Sequence, residues 1–145
     1  MSFQFSLGSV LRIRGIVEEQ EERMLQRILF EIAQTIEDIE RTNAELSGLD
    51  ALRSSEVFKS FAGHNVHASY EAIATLKQKR KELEEKLEKL EQLRDRQLVV
   101  YTGARRNREM LTDMCDEKRG LYETDMARRE QRSLDDNHMA RRGRT

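Results

Sequence analysis

From Ile73 to Tyr122, apolar residues recur at alternating steps of three and four, through about seven heptads without a phase break. The positions are Ile73, Leu76, Arg80, Leu83, Leu87, Leu90, Arg94, Gln97, Tyr101, Ala104, Arg108, Leu111, Cys115, Lys118 and Tyr122. Ten of these fifteen are apolar or aromatic, and the chain has no proline to interrupt them. A single helix of that length spans ~75 Å at ~1.5 Å per residue. Such a rod has no globular core to wrap, so the stripe predicts packing against another helix.

A first helix is predicted over residues 6–47. Its stripe reads Val10, Ile13, Val17, Met24, Ile28, Ile32, Ile36, Ile39 and Leu46, with Asn43 in the seam. Successive steps of four from Met24 to Ile36 predict a stutter that locally unwinds the supercoil. Asn43 reads either as a buried amide that fixes register or as an exposed residue near a helix end. Gly15 weakens the first turns by ~1 kcal/mol relative to Ala.

Ser47-Gly48 then predicts a helix stop. Residues 48–68 read as a turn region with a short helical segment carrying Leu49, Leu52, Val57, Phe58 and Phe61. Within it, Gly63-His64-Asn65 mark the clearest break, and Ser69 reads as the cap of a long second helix over 69–138. Residues 139–145 read as a fraying tail. Leu98-Val99-Val100-Tyr101 has strand-like composition, but the intact spacing on both sides keeps it helical.

Composition agrees with rods rather than a compact core. Charged residues make up 37% of the 145-residue chain and aromatics 6%, with no Trp. That is the make-up of long helices in one domain. The distribution of charge adds the pairing. Residues 16–45 carry nine acids and three bases, net −6, while 77–108 carry eleven bases and six acids, net +5. Opposite signs favour these segments as neighbours.

A turn centred near residue 60 makes the pair antiparallel and sets Val10 opposite roughly residue 110. The predicted fold is therefore all-α: one long two-helix antiparallel coiled-coil hairpin, monomeric when free. Its seam takes Val10, Val17, Met24, Ile28, Ile32 and Ile39 from the first helix. The second contributes Ile73, Leu76, Leu83, Leu87, Leu90, Tyr101 and Leu111. The second helix outruns the first, leaving an overhang from about Leu111 to Ala140 for a partner.

Chemistry is sparse. There is no glycine-rich phosphate loop, no HExxH, no paired cysteines, and no Ser or Cys with an evident base. No enzymatic activity and no cofactor are expected. His64 and His67 lack a third ligand, so no metal is expected either. Cys115 is the one cysteine, which excludes an internal disulfide and suits a seam thiol in a reducing cytoplasm. A net charge of −1 gives no support for nucleic acid or membrane. The arginines near the C-terminus (Arg128, Arg129, Arg132, Arg141, Arg142, Arg144) alternate with acids and lack aromatics for base stacking. They read as a solvated or partner-facing helix end. No apolar run approaches the ~18 residues of a membrane span. No basic region precedes an apolar stretch near the N-terminus, so no cleaved signal is expected.

Both ends carry short motifs. The chain opens Phe3-Gln4-Phe5-Ser6-Leu7, then Val10-Leu11-Arg12-Ile13-Arg14 and the acidic run Glu18-Glu19-Gln20-Glu21-Glu22. Near the other end stands Arg128-Arg129-Glu130-Gln131-Arg132-Ser133-Leu134-Asp135-Asp136. In these features the chain resembles the flagellar export protein FliJ, whose closing stretch reads Glu-Gln-Lys-x-Leu-Asp-Glu. Arg132 stands where Lys is common and Asp136 where Glu is, and both keep the charge.

The resemblance implies a hairpin similar to the central stalk, the gamma subunit, of rotary ATP synthases. It implies three partners: the hexameric flagellar export ATPase FliI, the export gate protein FlhA, and export chaperones. The ring-facing residues it implies are Leu7, Leu11, Arg12 and Arg14, with Glu130, Gln131, Leu134 and Asp135. Tyr70, Ala72 and Lys79 are the gate-facing candidates. The implied location is cytoplasmic, peripheral at the inner membrane through partners only. Two alternatives share the same pattern: an injectisome secretion stalk, and an unrelated coiled-coil scaffold.

Overall fold

The computed structural model describes residues 2–54 and 63–144, with side chains described outside 63–66. Among the described residues there are two helices, α1 (Gly8–Ser54) and α2 (Gly63–Arg142), packed as an all-α antiparallel hairpin. The chain divides into two compact units. One comprises Met1–Glu21 with Tyr101–Thr145, the other Glu22–Val100.

Both helices are longer than the residue pattern predicts. α1 does not stop at Ser47-Gly48 but runs on to Ser54. The reason is the seam. Leu46 is buried and Leu49 half-buried, so the apolar stripe continues past Gly48. That packing outweighs the ~1 kcal/mol a helical glycine costs, and no described residue takes the left-handed conformation a glycine stop uses. Leu52 also lies in α1, while Val57, Phe58 and Phe61 fall outside the described residues. α2 begins at Gly63 rather than 69, so Ser69 sits inside it, with a buried Oγ that has no partner among the described residues. At its far end α2 stays helical through Arg142, where fraying was expected from residue 139.

In the unit Glu22–Val100 the core is a single layered seam. Ile28, Ile32 and Leu90 form its centre, with Leu87 packed against them, and Leu25, Leu46 and Ile73 are buried along it. Arg80 of α2 donates to Asn43 Oδ1 across the pair at 3.3 Å, which also marks the antiparallel sense. On α2 the observed positions are those of the sequence pattern: Leu76, Leu83, Arg94 and Gln97 are half-buried between Ile73 and Leu90 or just beyond.

On α1 the stripe differs from expectation. The inward positions are Leu25, Ile28, Ile32, Thr35, Ile39, Thr42, Leu46 and Leu49, an unbroken 3-4 alternation with no stutter. Met24 is 53% exposed and Ile36 41%, so neither is a seam residue. Asn43 is exposed as well. Their places are taken by Leu25, Thr35 and Thr42, and both threonines are 1% exposed.

Burial of a hydroxyl costs free energy unless it is hydrogen-bonded. Each threonine meets that demand within its own helix. Thr35 Oγ1 donates to the Glu31 carbonyl at 2.8 Å, and Thr42 Oγ1 to the Asp38 carbonyl at 2.9 Å. Back-bonded to the preceding turn, a threonine presents its methyl group to the seam as a small valine would.

Candidate partner-binding site

In the unit Met1–Glu21 with Tyr101–Thr145 the seam turns polar. Ala104 is its buried apolar residue, while Leu7, Leu11, Val17, Tyr101, Leu111 and Cys115 are half-buried. Glu18 stands in this seam and meets Arg108 of α2 in a fork. Arg108 Nε donates to Oε2 at 2.6 Å and Nη2 to Oε1 at 3.1 Å. Two parallel charge-assisted bonds give this pair geometric specificity that a single contact lacks. The bond from Arg108 holds the Glu18 carboxyl below its ordinary range; desolvation opposes that shift, and the charges of Arg108 and Arg105 reinforce it. Arg108 is held above its ordinary value by the same bond.

Ahead of α1, residues 2–7 form a non-helical strap. The Gly8 amide donates to the Phe5 carbonyl at 3.0 Å and the Leu11 amide to the Leu7 carbonyl at 2.9 Å, which turns the strap into the helix. Phe3 packs on Tyr122 with ring centroids 5.6 Å apart and planes at 48°. The Arg119 guanidinium lies 5.5 Å from the Phe3 ring and the Lys118 ammonium 5.7 Å from the Phe5 ring. Contacts of these kinds contribute roughly 0.5–1.5 kcal/mol each.

The strap shortens the expected overhang. α2 was predicted bare from about Leu111, yet the strap reaches Tyr122, and Met126 is half-buried. Every residue from Ala127 to Arg144 is exposed. The physical reason is that a non-helical strap can cover more length per residue than the ~1.5 Å of a helix.

Beside the strap, Val10, Arg14, Asn107, Met110 and Leu111 line a notch of about 190 Å³. Val10 thus shares a site with Met110, in the register the turn predicted. It does not lie in the seam, however, being 40% exposed where burial was expected.

The expected ring-facing residues fall in this one unit, in two separate places. Leu7 and Leu11 are half-buried, and Arg12 and Arg14 are exposed. Glu130, Gln131, Leu134 and Asp135 are all on the bare tail, where Gln131 Nε2 donates to Asp135 Oδ1 at 3.3 Å. The ring contact of the strap is at Tyr122, roughly two helical turns short of Glu130.

The gate-facing candidates belong to the other unit. Tyr70 is 52% exposed with the Arg53 guanidinium 5.0 Å over its ring, and Ala72 is exposed. Lys79 is exposed at the edge of a shallow depression it shares with Ala74, Thr75, Gln78 and Glu82.

Among the described residues no three His, Cys, Asp or Glu side chains are placed to hold a metal ion, and His67 instead meets Glu71 at 3.1 Å. No described helix is long and apolar enough to cross a membrane. Phe3, Phe5, Arg119 and Tyr122, which build the strap contact, were not singled out together from the residue pattern. Their one signal was two aromatics outside any heptad.

Helical hairpin, polar-pinned end, strap and bare tail together define an all-α protein of coiled-coil type. More narrowly, the chain belongs to the flagellar FliJ protein family, whose model matches residues 3–144. Membership makes it a flagellar export-related protein. Neither the comparison with curated proteins nor that with solved structures gave a match.

Proposed function

We propose that the chain is the non-enzymatic central stalk of the flagellar protein export ATPase. In this reading it promotes assembly of the hexameric ATPase FliI and couples it to the gate protein FlhA and to export chaperones. The observation that carries the reading is the placement of the two family-like segments. Phe3–Arg14 and Arg128–Asp136 lie far apart in sequence but in one unit of the fold. That end offers exposed Arg12 and Arg14 beside a notch, and a helical tail whose residues are exposed from Ala127 to Arg144.

The mechanism follows from symmetry. One asymmetric stalk inside a sixfold ring cannot touch all subunits alike. It biases ring closure and nucleotide turnover only by binding some ring states better than others. Tyr70, Ala72 and Lys79 are proposed for the gate, since they belong to the unit that does not carry the ring-facing set. The protein works in the cytoplasm as a monomer and reaches the membrane through partners.

Mixing the chain with its cognate export ATPase tests this. Hydrolysis and ring formation both rise with added chain; unchanged values at saturating chain would sink the reading.

A further inference from the structure

Within the unit Glu22–Val100, α1 carries two seam stripes where α2 carries one. The observed seam alternates Leu25, Ile32, Ile39 and Leu46 with a second set, Ile28, Thr35 and Thr42. Each member of the second set is followed at once by another seam candidate, Leu29, Ile36 and Asn43 in turn. Exchanging one set for the other leaves the heptad spacing intact, with steps of four and three in place of three and four. The two stripes differ by half of the ~100° between consecutive residues of a helix, which is a turn of α1 by about 50°.

Charge confines that choice to α1 and to one sense of rotation. On α2, Lys77, Glu84 and Glu91 follow the seam residues Leu76, Leu83 and Leu90, while Lys79 and Lys86 precede Arg80 and Leu87. On α1, Glu31, Asp38 and Glu45 precede Ile32, Ile39 and Leu46. Turning α2, or turning α1 the opposite way, would bring these charges into the seam.

In the permitted sense the exchange is close to balanced. Ile28 for Leu29 conserves volume. Ile36, 41% exposed, replaces a threonine that is 1% exposed, and so takes more apolar surface from water. Asn43 replaces Thr42, and its Oδ1 already accepts from Arg80 at 3.3 Å. Thr35 and Thr42 keep their bonds to the Glu31 and Asp38 carbonyls in either phase, because those bonds lie within α1.

We infer that this unit is a two-phase coiled coil, in which α1 turns about 50° on α2 and exchanges Ile28, Thr35 and Thr42 for Leu29, Ile36 and Asn43. The phase with both threonines buried is the major one. In the minor phase α2 itself covers Leu29 and Ile36. A partner that binds one exposed face of α1 better than the other shifts the balance between the two. The device is independent of the stalk reading, since it needs only these two helices.

Disulfide trapping in the full chain tests it, with Cys115→Ser to remove the native thiol. Ile36 and Leu87 stand one heptad from Asn43 and Arg80, in the same relation across the pair. Thr35→Cys with Leu87→Cys reports the major phase, and Ile36→Cys with Leu87→Cys the minor one. Asp38→Cys with Leu83→Cys is the control, because Asp38 flanks Ile39 on the other side and the turn carries it away from α2. In a glutathione redox buffer the Thr35 pair closes fastest, and the Ile36 pair closes at least about tenfold faster than the Asp38 pair. Adding Leu29→Ser slows the Ile36 pair about tenfold and leaves the Thr35 pair unchanged. An Ile36 pair no faster than the Asp38 pair, or one that Leu29→Ser does not slow, overturns the inference. A second readout keeps Leu87 in place. Thr35→Asn with Thr42→Asn favours the minor phase, where both amides reach water, so maleimide labelling of Ile36→Cys slows about fivefold. Unchanged or faster labelling also overturns the inference.

Discussion

Glu18 and Arg108 close the polar part of the seam with two charge-assisted bonds, 2.6 and 3.1 Å, between residues ninety positions apart in sequence. The Glu18 side chain is 15% exposed and that of Arg108 32%, so water screens the pair only in part. An apolar partner in either place would leave a charge unpaired in the seam. The pair therefore resists any shift that sets Glu18 opposite another residue.

Its pH dependence has a definite sign. Glu18 has a carboxyl held below the ordinary value of 4.5 in the folded state. The stability it contributes is fully present above that value and is lost as pH falls through the lowered folded-state value. In thermal melts, wild type should exceed Glu18→Gln at neutral pH, and the gap should close with acidification below about 4.5. A gap that widens on acidification would remove the pair from the account.

The seam positions on α1 are separable by truncation. Ile32→Ala removes a side chain only 7% exposed in the core and should cost about 2–4 kcal/mol in chemical denaturation. Ile36→Ala, at 41% exposure, should cost less than about 1 kcal/mol. Thr35→Val keeps the seam volume and removes a hydroxyl already satisfied by Glu31, so it should be neutral or stabilising by up to about 1 kcal/mol. Equal losses at Ile32 and Ile36 would restore the stuttered stripe.

These same residues mark how far the pattern in the chain was legible. α2 was readable at every stripe position except Lys118, which is exposed, because its leucines leave one consistent phase. α1 was not, since Met24-Leu25 and Thr35-Ile36 each offer two neighbouring candidates for one place. A count of apolar residues chose the large side chains, and the phase set by Ile28, Ile32 and Leu46 chose Leu25 and Thr35. Packing of the pair decides between such neighbours, and no local property reveals it. The helix stop at Gly48 failed for a like reason: a glycine signal of ~1 kcal/mol lost to a seam that continues beyond it. At the site, the charged ends were readable, but the strap was not, because Phe3 and Phe5 carry no periodicity.

Gly103 stands in the helix with open space where a Cβ would sit and without a left-handed backbone. Gly103→Ala should therefore raise stability by about 0.5–1 kcal/mol, mainly by restricting the unfolded chain. Circular dichroism melts would show a higher midpoint. A lower midpoint would mean that a neighbour crowds this position.

The stalk reading is tested most directly by ring assembly of the cognate export ATPase, measured by mass photometry with ATP present. The full chain should increase the hexamer fraction, and Arg12→Glu with Arg14→Glu should abolish that increase while leaving the helix content unchanged. Glu130→Lys with Asp135→Lys should weaken it as well, whereas Lys86→Glu, in the other unit, should not. If the arginine reversals promote hexamers as well as wild type does, the end of the hairpin that carries the family motifs is not the part that meets the ring.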